Sequence, residues 1–70
     1  MKLCYTIQVE RQPAITLHQG SRREGKRFRV TYGGQQLLML SYDEAAKALG
    51  EAVMHALARN CQIDNGENVP

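Results

Sequence analysis

A single stretch constrains this chain more than any other: Leu37-Leu38-Met39-Leu40 runs straight into Ser41-Tyr42-Asp43-Glu44-Ala45-Ala46. Successive residues of a strand point to opposite faces, so four large apolar residues in a row present apolar groups on both. The Ser-x-x-Glu spacing that follows is a capping box, in which Ser41 and Glu44 satisfy each other's free backbone N–H groups at a helix start. A strand that is apolar on both faces therefore leads directly into a helix. In a chain of 70 residues that helix covers one face of a sheet. Covering the other falls to a partner or to a second copy.

The length points the same way. A domain this small buries only about 60% of the surface its unfolded chain exposes, and small scaffolds commonly gain stability from disulfides, metals or association. Cys4 and Cys61 stand near opposite ends, and no apolar leader precedes Cys4, so the expectation is a cytosolic protein with two reduced thiols. No apolar run approaches the roughly 18 residues a membrane span requires.

Alternation marks the strands. Leu3, Tyr5, Ile7 and Val9 form one side of a strand over Leu3–Glu10, with Cys4, Thr6, Gln8 and Glu10 on the other. Gln12-Pro13 interrupts it, and Ala14–His18 resumes with Ile15 and Leu17 inward. Gln19–Gly25 is polar and glycine-bounded, the pattern of a flexible hairpin loop. Lys26–Tyr32 alternates again, with Phe28, Val30 and Tyr32 toward the core, and Gly33-Gly34 supplies a tight turn into a fourth strand over Gln35–Leu40. From Ser41 onward Ala45, Ala46, Leu49, Ala52, Val53, Ala56 and Leu57 recur at helical spacing to near Asn60. Gln62–Pro70 is polar. The expected architecture is α+β, an antiparallel four-stranded meander followed by one C-terminal amphipathic helix on one face: a single domain over residues 1–60 and a polar tail over 61–70.

Charge is concentrated even though the net value is only +2. Of nine Lys and Arg residues, five fall between Arg22 and Arg29: Arg22, Arg23, Lys26, Arg27 and Arg29. Such a ribbon suits nucleic-acid phosphates, an acidic protein surface, or plain solvation. Histidines 18 and 55 and the two cysteines lack the close ligand spacing of a metal site, so neither metal nor cofactor is expected. Ser41, Asp43 and Glu44 are accounted for by the helix start and His55 by a solvated helix face, which leaves no catalytic set. Tyr42, at the first helical position, is of a residue type favoured in binding hot spots, and Met54 sits off the apolar stripe as an adaptable contact.

Two resemblances accompany these readings. The strand, strand and helix-start pattern from Phe28-Arg29-Val30-Thr31-Tyr32 to Ser41-Tyr42-Asp43-Glu44-Ala45-Ala46 resembles the three-stranded DNA-binding domains of integrases and plant ethylene-response factors. That likeness implies DNA contact through Arg22, Arg23, Arg27 and Arg29. In size and in its apolar set Leu37, Met39, Tyr42 and Met54, the chain is also similar to small bacteriophage accessory proteins that disable host proteins, such as anti-CRISPR proteins and quorum-sensing anti-activators. That likeness implies a cytoplasmic, non-enzymatic inhibitor acting on a larger host protein in a bacterium.

The sequence thus yields a leading expectation: a protein-binding homodimer. Partner contacts are assigned to Arg22, Arg23, Arg27, Arg29, Leu37, Met39, Tyr42 and Met54, and the dimer interface to Leu38, Leu40, Ala45, Leu49, Ala52, Val53 and Ala56. The alternative is a small DNA-binding protein using the Arg-rich ribbon. A one-residue shift in the fourth strand would exchange Leu37 and Met39 with Leu38 and Leu40.

Overall fold

The computed structural model describes residues 1–64. Its elements are β1 (Lys2–Ile7), β2 (Ile15–Gln19), a single 3-10 turn (Arg22–Glu24), β3 (Phe28–Tyr32), β4 (Gln35–Leu40) and α1 (Tyr42–Arg59). The strands form one antiparallel sheet in the order β1-β2-β3-β4, and the helix packs on one face of it. This is the α+β meander that alternation and the capping box imply. Residues 65–70, most of the expected tail, lie outside the described residues.

The helix begins where the sequence places it. Ser41 accepts from the Glu44 N–H at 3.2 Å, and the Ser41 N–H donates to Glu44 Oε1 at 2.9 Å. Its buried positions are Ala45, Ala48, Ala52 and Ala56. That line shares Ala45, Ala52 and Ala56 with the expected stripe and differs from it in that Ala48 is buried and Ala46 exposed. Small side chains let the helix backbone approach the sheet, and larger residues seal its flanks. Ala52 and Ala56 meet Val9 and Ile15, with Ile7, Tyr32, Leu49, Val53 and Leu57 around them. Ala45 and Ala48 meet Val30, flanked by Leu17, Phe28, Leu40 and Leu49. The helical alanines assigned to a dimer interface are therefore occupied by the chain's own core. From that set only Leu38 stands among the large exposed apolar residues.

Strand registers reveal what alternation does not show. Across the sheet the helix-facing rows are Ile7, Ile15, Tyr32 and Gln35, then Tyr5, Leu17, Val30 and Leu37. Between them lies an outward row of Thr6, Thr16, Thr31 and Gln36. The next row centres on His18 opposite Arg29, and there both edge strands carry an extra residue. In β1 the irregularity falls between Leu3 and Tyr5, so Leu3 pairs with His18 and leaves the inward set expected for it. In β4 it falls between Leu37 and Leu40, where Met39 adopts φ 58°. An inserted residue lets Leu37 and Leu40 both share the helix side, so β4 adopts neither of the two simple registers.

Turns account for the remaining boundaries. β1 ends at Ile7 rather than Glu10, because Val9 enters the core and the Gln12 N–H donates to the Val9 carbonyl at 3.0 Å. The Gln8 side chain fastens the same turn, donating to the Gln12 carbonyl at 2.6 Å. The β2–β3 connection is built, where a flexible loop was the expectation. Ser21 and Glu24 repeat the capping-box spacing, Gly25 takes φ 72°, and the Gly20 N–H donates to the Arg27 carbonyl at 2.7 Å. A Cβ on Gly20 would stand 2.8 Å from that of Glu24, so the turn closes tightly only with glycine there.

Candidate functional site

Three surface features carry the residues singled out by the sequence. The first is β4, at the edge of the sheet. Leu37, Leu38 and Met39 are 50%, 56% and 63% exposed, three consecutive large apolar side chains beside a backbone edge with no neighbouring strand among the described residues. Neither charge nor proline interrupts Gln35–Leu40, although both are common protections of an edge. Leu37 also borders a shallow cavity of about 140 Å³ under the helix, between Val30, Tyr32, Ala48 and His55.

The second feature lies at the other flank of α1. Leu17, Phe28, Tyr42, Ala45, Ala46 and Leu49 line an apolar cavity of about 160 Å³. Tyr42, 75% exposed, meets the Phe28 ring edge-on with centroids 6.1 Å apart. Tyr5, the cross-strand neighbour of Leu17, is 65% exposed on the same side of the sheet, so the aromatic surface extends past the helix.

The third is the basic hairpin. Arg22 and Arg23 occupy the 3-10 turn, Lys26 and Arg27 follow it, and Arg29 lies within β3. Glu24, the acid among them, is engaged: its carboxylate accepts from the Ser21 N–H at 3.0 Å and lies 3.7 Å from the chain's amino group. The hydrogen bond from Ser21 and then the amino-terminal charge hold this carboxyl below its ordinary range. Glu44 is lowered likewise, chiefly by the Ser41 N–H and hydroxyl, with a further contribution from Arg27. The pairing of Phe28 with Leu40 and the Phe28–Tyr42 ring contact place the hairpin near the helix start. His18 is pushed below its ordinary value by desolvation and then by the Arg29 charge across the strand.

These positions divide the expected partner-binding set. Arg27 and Tyr42 are brought to one end of the molecule, with Arg22 and Arg23 on the adjoining turn. Leu37 and Met39 lie along the β4 edge. Met54, 56% exposed, is two residues from both Ala52 and Ala56 and therefore lies on the helix face opposite the sheet, apart from the others. Tyr5 and Leu3 are exposed apolar residues that the strand pattern assigned inward; the uncovered width of β1 explains the first and the bulge the second. The built hairpin turn could have been found from Ser21 and Glu24, whose spacing matches that of Ser41 and Glu44.

Chemically the arrangement offers contact and charge. Ser41, Glu44 and Glu24 are engaged in caps through their side chains, and Ser21 through its backbone N–H. Among the described residues, no three His, Cys, Asp or Glu side chains come together as metal ligands, and no helix is long and apolar enough to cross a membrane. Cys4 and Cys61 are both exposed thiols. Comparison with family models, curated proteins and solved structures finds no match for this chain.

Proposed function

We propose that this chain is a non-enzymatic protein-binding module of the bacterial cytoplasm, which pairs with a second copy along β4 and occludes a surface of a larger regulatory or defence protein. The observation that carries the reading is the β4 edge. Three consecutive large apolar residues there are at least half exposed on an uncharged strand with an open side. Unpaired strand edges are templates for another strand, and a two-fold pairing of β4 with itself closes into a dimer without leaving that edge open.

The surface around Tyr42 suits the larger partner. It joins an aromatic anchor, an apolar cavity and neighbouring arginines, the combination of buried core and polar rim that interfaces use. Positive charge at the rim speeds encounter with an acidic surface. The likeness to phage accessory inhibitors supports the choice of a host protein as that partner.

Affinity capture with the immobilised chain, from bacterial lysate with and without nuclease, tests the proposal. A stoichiometric protein is expected to survive nuclease digestion and to be lost with Tyr42→Ala, since truncation of a hot-spot tyrosine removes about 2 kcal/mol or more of binding, roughly thirtyfold in affinity. Proteins retained only while nucleic acid is intact would contradict it.

A further inference from the structure

The face of the sheet turned away from α1 has an unusual charge distribution. None of the four strands contains Asp or Glu, while β2 and β3 place His18 and Arg29 side by side on the open face. Thr6, Thr16, Thr31 and Gln36 lie in the adjoining outward row and supply neutral hydrogen-bonding groups, with Leu3 opposite His18 at the β1 edge. The hydroxyls of Thr16 and Thr31 are bonded to one another, and the Thr16 hydroxyl lies 3.5 Å from His18 Nδ1. Arg29 Nε is buried and has no hydrogen-bond partner among the described residues. At the end of this face the built turn presents Arg22, Arg23, Lys26 and Arg27, and Glu24 is engaged by its cap. By contrast, α1 carries Asp43, Glu44 and Glu51 against Lys47 and Arg59. Positive charge is thus in excess on the open face and its hairpin, and negative charge in slight excess on the helix.

We propose that this face binds the phosphate backbone of double-stranded DNA, drawing on the hairpin arginines that also rim the Tyr42 surface and using none of the contacts along β4. Charge complementarity selects a polyanion, since guanidinium and ammonium groups neutralise phosphates and release their counterions. The surface selects a duplex over a single strand. Phe28, Tyr5 and Tyr32 all lie on the helix side, so the open face offers no Phe, Tyr or Trp on which unpaired bases would stack. The ordered 3-10 turn holds Arg22 and Arg23 in place, and Arg29 extends the charge onto the sheet. Binding of this kind grips the backbone and tolerates sequence variation.

Fluorescence anisotropy with the full chain and a labelled mixed-sequence duplex tests this. Five phosphate contacts predict a slope of log affinity against log salt of about −4 to −5, a loss of about 10²- to 10³-fold between roughly 50 and 200 mM salt. Arg22→Ala with Arg23→Ala is expected to reduce that slope by about 2 while leaving the thermal midpoint unchanged, because both side chains are exposed. Two variants of equal net charge establish the face. Gln36→Glu puts a carboxylate on the open face and is expected to weaken binding about tenfold, whereas Gly50→Glu, on the exposed side of α1 with open space around it, is expected to weaken it less than twofold. Equal losses from the two variants, a slope shallower than −1, or a single strand binding as tightly as the duplex would each overturn the proposal.

Discussion

Ile15→Ala is expected to lower the unfolding free energy by about 2–5 kcal/mol. Ile15 is the largest fully buried side chain, at 0% exposure, and it stands where the sheet meets the helix: β1 and β3 flank it through Ile7 and Tyr32, and Val9, Ala52 and Ala56 close over it. Truncation removes three carbons and leaves a cavity that neighbours as small as alanine fill poorly. A domain of this length holds about 4–10 kcal/mol in total, so the variant loses much of its stability. Urea unfolding checks it, with Ile15→Val, expected to cost about 0.5–1.5 kcal/mol, as the graded comparison. An Ile15→Ala loss no larger than that of the exposed Leu38→Ala would contradict the placement of the core.

The second large effect is overpacking. Ala56→Leu is expected to destabilise the fold by about 1–3 kcal/mol or more, because Ala56 is at 0% exposure against Val9 and Ile15 and its small side chain sets how closely the helix approaches the sheet. Ala46→Leu is expected to change stability by less than about 0.5 kcal/mol. Ala46 is exposed and borders the cavity lined by Leu17, Phe28 and Tyr42, which has room for a larger side chain. Thermal melts of the two variants distinguish a helix packed through Ala45, Ala48, Ala52 and Ala56 from one packed through Ala46. A more severe loss from Ala46→Leu would place the helix in the orientation that the sequence stripe alone suggests.

That pair of alanines shows how much of the fold was legible. Four strands, the Gly33-Gly34 turn and the helix start at Ser41 follow from alternation and from one capping box, because each is a local signal. The choice between Ala46 and Ala48 is not local. Both fit an apolar stripe, and the sheet decides between them through the direction in which the helix crosses it. The bulges at Cys4 and at Leu38-Met39 are equally invisible to a period-two reading, since an inserted residue leaves the composition unchanged and alters only which face each side chain takes. This is why Leu3 moved outward and why Leu37 and Leu40 came to share one side. Tyr42 and Arg27 come to one end of the molecule because Phe28 pairs with Leu40 and meets the Tyr42 ring, which brings the hairpin beside the helix start. Composition groups Met54 with Leu37, and helical geometry separates them.

The open face also differs from the one the apolar run suggests. Its centre is polar, with Thr16, Thr31, His18 and Arg29, and the exposed apolar residues concentrate on the edge strands instead. Any covering of Leu37, Leu38 and Met39 therefore comes at the edge of β4 more than across the whole sheet. The β4 bulge confines regular pairing to the part of the strand before Met39, which favours a short, two-fold contact over an extended one.

Light scattering at high micromolar concentration tests the β4 interface most directly. The account predicts a mass of twice the 7.9 kDa chain, falling to 7.9 kDa for Leu38→Lys in a chain that stays folded, because Leu38 lies outside the protomer's core. A wild-type chain that remains at 7.9 kDa at that concentration, or a Leu38→Lys variant that keeps the doubled mass, would contradict it.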